Sequence, residues 1–527
     1  MRISLAARCN IGHPKGGRSV KTSQLAQPSY AVAAARSAAL LLPLLLAGCM
    51  LGPNFKQPSP PPLDRYAAPP PASAAASASD AQQFVADMQV PAQWWALFHS
   101  PALNQLITRA LASNPGLQGA RAALRQAQEN VAAQKGSFYP AVDAGLSTTR
   151  VRNASTLASP LQSSANYYTL TTAQVSVSYM PDLFGGNRRE LESLQAQAEA
   201  QRFQLEATYL TLTSNVVLAA IQEAGLRAQI AATHEIIDGQ TKILATVQRE
   251  LALGQLAESD VAAQVALLAQ AQATLPPLEK QLALQRDALA ALLGSYSSDD
   301  LAVHFTLADL QLPRELPLSI PSQLVQQRPD VRAAQAQWHA ANAQVGVAIA
   351  NRFPKLTLTA GGGSSPTHFN DLFKDATNFW NLGADVAQPI FAGGSLMHQE
   401  RAAKAANDQA EAQYRTTVVA AFQSVSDMLY AIRADGDALT AAQTAASAAS
   451  KSLAIGQRQL ALGDIGEAGL LSVQQAAHQA QIALAIAQAN RYADTVALFQ
   501  ALGGGWWMRE KSSDGHTADA GNAAAGS

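Results

Sequence analysis

Between residues 101 and 137 apolar side chains return every three or four positions, with Leu103, Leu106, Ile107, Ala110 and Leu111 on one helical face. Asn114-Pro115 interrupts the pattern, because the residue before a proline is pushed out of the helical region. Pro140 ends the helix that follows, and the period then changes from 3.6 to 2. Val142, Ala144 and Leu146 alternate with Asp143, Gly145 and Ser147. After a polar loop from Arg152 to Asn166, Ala173, Val175, Val177 and Tyr179 alternate with Gln174, Ser176 and Ser178. This predicts a hairpin of two amphipathic strands. From Arg188 to Leu253 the pattern is helical again, with Leu191, Ala198, Leu205, Leu212, Ala219 and Leu226 at seven-residue intervals. Val216, Ile230, Ile237, Leu244 and Leu251 form a companion seam. One helix of this length would reach about 100 Å, and a seven-residue repeat predicts supercoiled helix pairing. Gly225 and Gly239 leave a series of shorter helices open. Leu253-Gly254 predicts a turn, and Asp260-Val261 opens a return helix to Leu293 that Pro276-Pro277 is expected to kink or break.

The chain then repeats itself. Asn114-Pro115 returns as Arg328-Pro329, Phe138-Tyr139-Pro140 as Phe353-Pro354, and Phe184-Gly185-Gly186 as Phe391 to Gly394. The Leu253-Gly254 tip returns as Leu462-Gly463, and Leu293-Gly294 as Leu502-Gly503, each pair about 210 residues apart. Ordered landmarks at steady spacing mark a tandem duplication: 101–294 is the first structural repeat, 295–321 a proline-rich connector, 322–503 the second repeat, and 504–527 a disordered tail. The second hairpin sets Leu356, Leu358 and Ala360 against Lys355, Thr357 and Thr359, then Trp380, Leu382, Ala384 and Val386 against Asn381, Gly383 and Asp385. Such alternation fits a soluble half-buried sheet as well as a membrane barrel. Four strands cannot close on themselves, and an open edge is not tolerated in lipid. In a membrane, several protomers must share one barrel.

Composition narrows the choice. Aromatic residues make up 6% and charged residues 14%, and the helical stretches are rich in Ala and Gln. Slender helices in close contact suit that usage better than a large enzyme core. Removing the six basic residues of segment 1–48 from the total of 37 leaves 31 against 38 acidic, a balance of −7 that argues against a nucleic-acid surface. The cysteines, Cys9 and Cys49, precede both repeats, so the body has no disulfide framework or Cys-based zinc site. Arg36 is followed by about a dozen mostly apolar residues, too few to span the ~30 Å hydrocarbon core. They end in Leu46-Ala47-Gly48-Cys49, which resembles a bacterial lipobox. Residues 1–48 are therefore expected to be a lipoprotein signal peptide, and 49–100 a lipidated tether, Pro-, Ala- and Ser-rich from Pro53 to Asp80.

Catalytic constellations are not apparent. His234-Glu235-Ile236-Ile237-Asp238 has Asp where a zinc-protease helix needs its second His. Gly361-Gly362-Gly363 lacks the lysine and spacing of a phosphate loop and is expected to end a strand. The sequence thus predicts no enzyme, no metal and no cofactor apart from covalent lipid on Cys49.

Several ordered motifs carry a family resemblance: Trp94-Trp95 with Phe98 and Leu103, Asn114-Pro115, Phe138-Tyr139-Pro140, Asp182-Leu183-Phe184-Gly185, Gln388-Pro389-Ile390-Phe391 with Gly393-Gly394, and the two Leu-Gly tips. Together they resemble the outer membrane factors, the TolC-like channels of tripartite efflux pumps, in their NodT-type lipoprotein subgroup. The resemblance implies an α+β membrane protein: a trimeric, 12-stranded outer-membrane β-barrel with four strands per chain, continued by a long coiled-coil α-helical barrel in the periplasm. Twelve is an even number within the range of known barrels. The implied function is passive conduction of substrates to the exterior. The implied partners are a second and third copy, a periplasmic adaptor, an inner-membrane transporter of the proton-driven type, and outer-membrane lipid. Adaptor contact would fall on the tips, at Leu253, Gly254, Leu462 and Gly463. Channels of this family often place an Asp in a Leu-Leu-Asp-Ala stretch after the second tip; here it reads Leu470-Leu471-Ser472-Val473. Gate acids must then come from Asp464 and Glu467, or Glu258 and Asp260, which read equally as solvated turn and N-cap residues. The competing function is a periplasmic adaptor lipoprotein of such a pump, which would lack the duplicated strand pairs.

Overall fold

The computed structural model describes residues 50–59, 82–86, 88–154, 156, 165–299, 302–318 and 321–509. The expected signal peptide, Cys49, most of the tether, most of the 152–166 loop and the tail from 510 lie outside these residues. In chain order the elements are β1 (Gln83–Ala86), α1 (Pro101–Ser113), α2 (Pro115–Gly136), β2 (Ala141–Arg152), β3 (Tyr167–Tyr179), α3 (Gly186–Ala252) and α4 (Glu258–Leu292). The second half adds β4 (Glu315–Leu318), α5 (Pro321–Gln327), α6 (Pro329–Ala350), β5 (Lys355–Ser364), β6 (Asn378–Ala387), α7 (Ser395–Leu462) and α8 (Glu467–Ala501).

Asn114 separates α1 from α2 with extended backbone, and its Oδ1 accepts the Leu117 N–H at 3.0 Å, so the chain turns and is capped by one residue. α3 runs unbroken for 67 residues and α7 for 68, about 100 Å each. Gly225 and Gly239 do not divide α3. At Gly225 a Cβ would lie 2.9 Å from the Ala489 Cβ, so the glycine admits α8 rather than ending a helix. Of the two outcomes expected at Pro276-Pro277, a kink or a break, the break does not occur: α4 runs on through both prolines. The carbonyls deprived of a donor belong to Gln272 and Ala273, exposed residues whose oxygens water can satisfy. The companion seam is also displaced. Ile230, Ile237, Leu244 and Leu251 are half-buried, while Ala232, Thr233, Gln240, Ile243 and Val247 are buried. Gln240 occupies that seam because Gln264 Nε2 donates to its Oε1 at 2.6 Å, a pairing that a hydrophobic pattern does not register.

Four rods result. The C-terminus of α4 meets the N-terminus of α2: Ser113 Oγ donates to Leu293 O at 2.8 Å, and Asn114 Nδ2 to Leu292 O at 2.9 Å. α8 meets α6 in the same way, with Arg328 Nη1 donating to Ala501 O at 3.0 Å. The composite rods alternate with the continuous ones, so α3 lies between α2 and α6 at one level and between α4 and α8 at the other, with α7 beyond. A belt of core residues sits at the joints, including Trp94, Phe98, Leu103, Phe305, Leu310 and Phe499. β1 and β4 pair in parallel beside it, binding the N-terminal segment to the connector.

Two segments expected to be loose are docked. The tether begins against the body: Arg189, fully buried, donates from Nε to Leu51 O at 2.9 Å and from Nη2 to Asn54 Oδ1 at 2.7 Å, while Phe55 stacks on His339 at 4.5 Å. The tail, expected to be disordered from residue 504, first forms a helical turn over 506–509. Trp506 is buried against Phe203, its Nε1 donates to Gln327 O at 2.6 Å, and Arg509 lies 3.6 Å over the Tyr209 ring.

Candidate functional site

β2, β3, β5 and β6 form one antiparallel sheet in that order. The register joins the two hairpins so that apolar residues of all four strands line up in rows across one face. Val142 faces Val177, which faces Ala360, which faces Leu382; the next row is Ala144, Val175, Gly362 and Trp380. On the opposite face run Asp143, Ser176, Gly361 and Asn381. Nothing among the described residues covers the apolar face: Trp380 is 78% exposed and Leu382 76%. The glycine run at 361–363 forms the last turn of pleat in β5, which ends at Ser364, and a Cβ on Gly363 would stand 2.2 Å from Ala173 O of the neighbouring strand.

Each end of the sheet carries exposed aromatic or large apolar side chains. Tyr139, Phe353, Ile390 and Phe391 sit where strands meet helices, and Tyr167, Phe369 and Phe373 sit at the far end. A strand such as β3, tilted by about 40°, spans roughly 30 Å between these groups, close to the apolar band of an outer-membrane barrel. The outer edges of β2 and β6 have no strand partner among the described residues. An uncovered apolar strand face with two open edges makes a fragment of a lipid-facing wall. No helix of the described residues is long and apolar enough to cross a membrane.

At the other end of the rods lie the two tips, built alike. Gly254 and Gly463 are left-handed, with φ of 74° and 79°. Their N–H groups donate to Leu251 O and Leu460 O, and the next residues, Gln255 and Asp464, donate to Glu250 O and Gln459 O. Both tips therefore close with the same pair of bonds that satisfies the last helical carbonyls. Leu253 and Leu462 project from them, Leu462 77% exposed. Among the gate candidates, Asp260 accepts the Ala257 N–H at 3.0 Å and so caps α4, whereas Glu258 and Asp464 are exposed. Glu467 opens α8, and its side chain lies outside the described residues. Ser472 Oγ turns back onto Gly469 O at 3.0 Å. His234, Glu235 and Asp238 are exposed on α3, and no group of three or more His, Cys, Asp or Glu among the described residues could hold a metal.

Two charged clusters escaped the pattern of the sequence. Between α7 and α8, burial and the neighbouring Asp435 push the Asp494 carboxyl up to about 7, while Arg491, whose own pKa burial lowers, donates to Ile432 O. Near the strands, Glu192 lies between Arg189 at 2.7 Å and His339 at 2.9 Å; burial opposes its ionisation, but these hydrogen bonds outweigh it and hold its pKa down. A repeat-length offset points to neither: the first cluster lies wholly within the second copy, and the second joins residues at unlike positions in the two copies.

The family model described as "Outer membrane efflux protein" matches residues 106–295 and 320–504. Pyoverdine export outer membrane protein OpmQ of Pseudomonas putida is 30% identical over 453 residues, 85% of this chain and 94% of that protein. The probable efflux pump outer membrane protein TtgC of Pseudomonas putida is 29% identical over 468 residues, 88% of this chain and 94% of that protein. Among solved structures, the outer-membrane channel OprN superposes with a TM-score of 0.77 at 25% identity, covering 87% of this chain and all of that one.

Proposed function

The chain belongs to the outer membrane efflux protein family, and we propose that three copies assemble into one outer-membrane channel that conducts substrates out of the periplasm. The observation that carries this reading is the sheet with one uncovered apolar face and two unpaired edges. In lipid, unpaired backbone groups cost several kcal/mol each. Joining the β6 edge of one copy to the β2 edge of the next removes every edge after a closed number of copies. Three copies give twelve strands, whose polar rows of Asp143, Ser176 and Asn381 keep the lumen wet. The rods then continue the passage into the periplasm, where Leu253 and Leu462 offer apolar contacts to an adaptor and, through it, to an inner-membrane transporter of the proton-driven type. Cys49 carries the lipid in this reading. The docked segment from Met50, which touches Phe184 and Gly185 at the junction of sheet and rods, supports a lipid at the periplasmic leaflet. OpmQ is named for pyoverdine and a further relative for toluene, so the conduit tolerates chemically unlike cargo within the family.

The test is a semi-native gel of the outer-membrane fraction followed by planar-bilayer recording. A heat-resistant trimer with stable ion conductance is expected. A monomeric, non-conducting lipoprotein would overturn the channel reading and restore the adaptor one.

A further inference from the structure

Part of the way along the rods, α4 and α8 diverge over α3 and leave an open cleft of about 440 Å³. Five carboxamides converge on it: Gln222 and Gln229 from α3, Gln281 and Gln285 from α4, and Asn490 from α8. Leu226, Leu284 and Ile486 supply apolar wall, and no charged side chain is in the lining among the described residues. The neighbourhood is otherwise charged. One residue along α3, Glu223 contacts Arg227 at 2.9 Å and Arg286 at 3.1 Å, and one residue along α8 Arg491 is buried. The floor is the close approach of Gly225 to Ala489, whose Cβ would stand 2.9 Å from one at residue 225.

What covers the opposite side fixes the direction in which the cleft opens. α3 buries Val217, Ala220, Ile221 and Ala224 under the aromatic belt, whereas Gln204, Thr211, Asn215 and Gln222, recurring at helical spacing, are exposed. α8 turns Tyr492 and Phe499 towards the same belt and exposes Asn490. Around a conducting tube the belt must lie outside, because inside it would plug the passage. The cleft then faces the lumen, a placement that rests on the channel reading above.

Its chemistry selects a class of ligand. Gln229 Nε2 donates to Gly225 O at 3.3 Å and Gln285 Nε2 to Ala219 O at 3.4 Å, which orients both amide planes. Carboxamides donate and accept at once, so a neutral polar group finds partners in either sense. An isolated charge would lose water without meeting a counter-charge. The volume falls in the range of small-molecule sites, and an open cleft binds weakly enough for cargo to leave, as conduction requires. We propose that this cleft is a lumenal way-station that briefly holds uncharged, amphipathic solutes bearing amide or hydroxyl groups beside an aromatic or aliphatic body.

The experiment uses the purified full-length trimer in lipid nanodiscs and saturation-transfer NMR with two probes of one shape, N-acetyltryptophanamide and the anionic N-acetyltryptophan. The amide is expected to bind saturably and the carboxylate at least about tenfold more weakly. Gln281→Ala with Asn490→Ala, both at exposed positions, is expected to weaken the amide about five- to tenfold, with the trimer on a semi-native gel unchanged. Leu284→Lys is expected to reverse the preference towards the carboxylate. Equal binding of both probes, or wild-type binding by the double variant, overturns the proposal. A conducting trimer that does not bind the amide overturns the way-station alone; a chain that never conducts overturns the channel reading and with it the lumenal placement.

Discussion

Placing arginine on the two faces of β3 separates the lipid side of the wall from the wet side. Val175 stands in a row with Ala144, Gly362 and Trp380, and Ser176 in the row with Asp143, Gly361 and Asn381. At a rise of about 3.3 Å and a tilt of about 40°, each residue advances roughly 2.5 Å along the membrane normal. Val175, four residues from Tyr179 at the junction with the rods, therefore lies about 10 Å into a band about 25 Å tall, near its middle. Val177 lies about 5 Å in. Arginine at the midplane of a barrel's lipid face costs about 2–4 kcal/mol, falling to about 0–1 near the interface. Val175→Arg is thus expected to cost about 2–4 kcal/mol per copy, Val177→Arg about half as much, and Ser176→Arg nearly nothing. Urea titration of barrels refolded into thin-lipid vesicles measures the difference, with outer-membrane yield as an independent check. If Ser176→Arg is the most damaging of the three, the assigned faces are inverted. Equal costs at Val175 and Val177 would refute the depth argument instead.

The buried carboxyl at Asp494 gives a pH dependence whose sign can be worked out. The folded state retains a proton up to about pH 7 that the unfolded chain releases near its ordinary value, so this group's stabilising contribution is full at low pH and is lost as pH rises through about 7. Because the group is only half-buried, the swing is discounted for solvent screening to roughly 1–2 kcal/mol; Asp494→Asn should flatten the fall in melting temperature expected of the wild type between about pH 4 and 7. Gly225→Ala gains about 1 kcal/mol of helix propensity but drives a Cβ to 2.9 Å from the Ala489 Cβ, so a net loss of about 1–2 kcal/mol by thermal melting is expected, relieved by pairing it with Ala489→Gly. Labelled palmitate should enter the wild-type protein and not Cys49→Ser, and equal labelling would remove the lipid anchor from the account. Asp464→Asn with Glu467→Gln should lower the cation preference of the closed pore in planar bilayers, since three copies of each carboxylate around one axis create a negative ring; unchanged selectivity in an assembled trimer would turn these residues outward.

Much of this molecule was legible because its decisive features are local. Alternation in Val142–Leu146 and Ala173–Tyr179 determines which face each side chain takes, and the structure keeps those faces in register across strands from both copies. The Leu-Gly tips were legible because a left-handed residue after a long helix favours glycine. Features formed by distant partners were not. Arg189 is an unremarkable basic residue until Leu51 and Asn54 reach it. Asp494 is one acid among many until α7 brings Asp435 beside it. Trp506 looked like the start of a polar tail, and only Phe203 and Gln327 make it a plug. The proline pair left two outcomes open, and exposure of Gln272 and Ala273 to water is what lets the helix run on unbroken.

The two joints, at Asn114 and at Arg328, divide the mechanical labour of the bundle. α3 and α7 are single spans of backbone bonds and can only flex along their length. The rods made of α4 with α2 and of α8 with α6 are butted columns, held at the seam by a few side-chain bonds to terminal carbonyls. A twist that widens the tips can therefore be taken up at the seams without breaking any run of helical bonds. The seams are also unequal. One is fastened by the Ser113 hydroxyl and the Asn114 amide, the other by a guanidinium that Asp330 grips at 2.7 Å, so a salt that screens charge bears on the second seam and leaves the first alone.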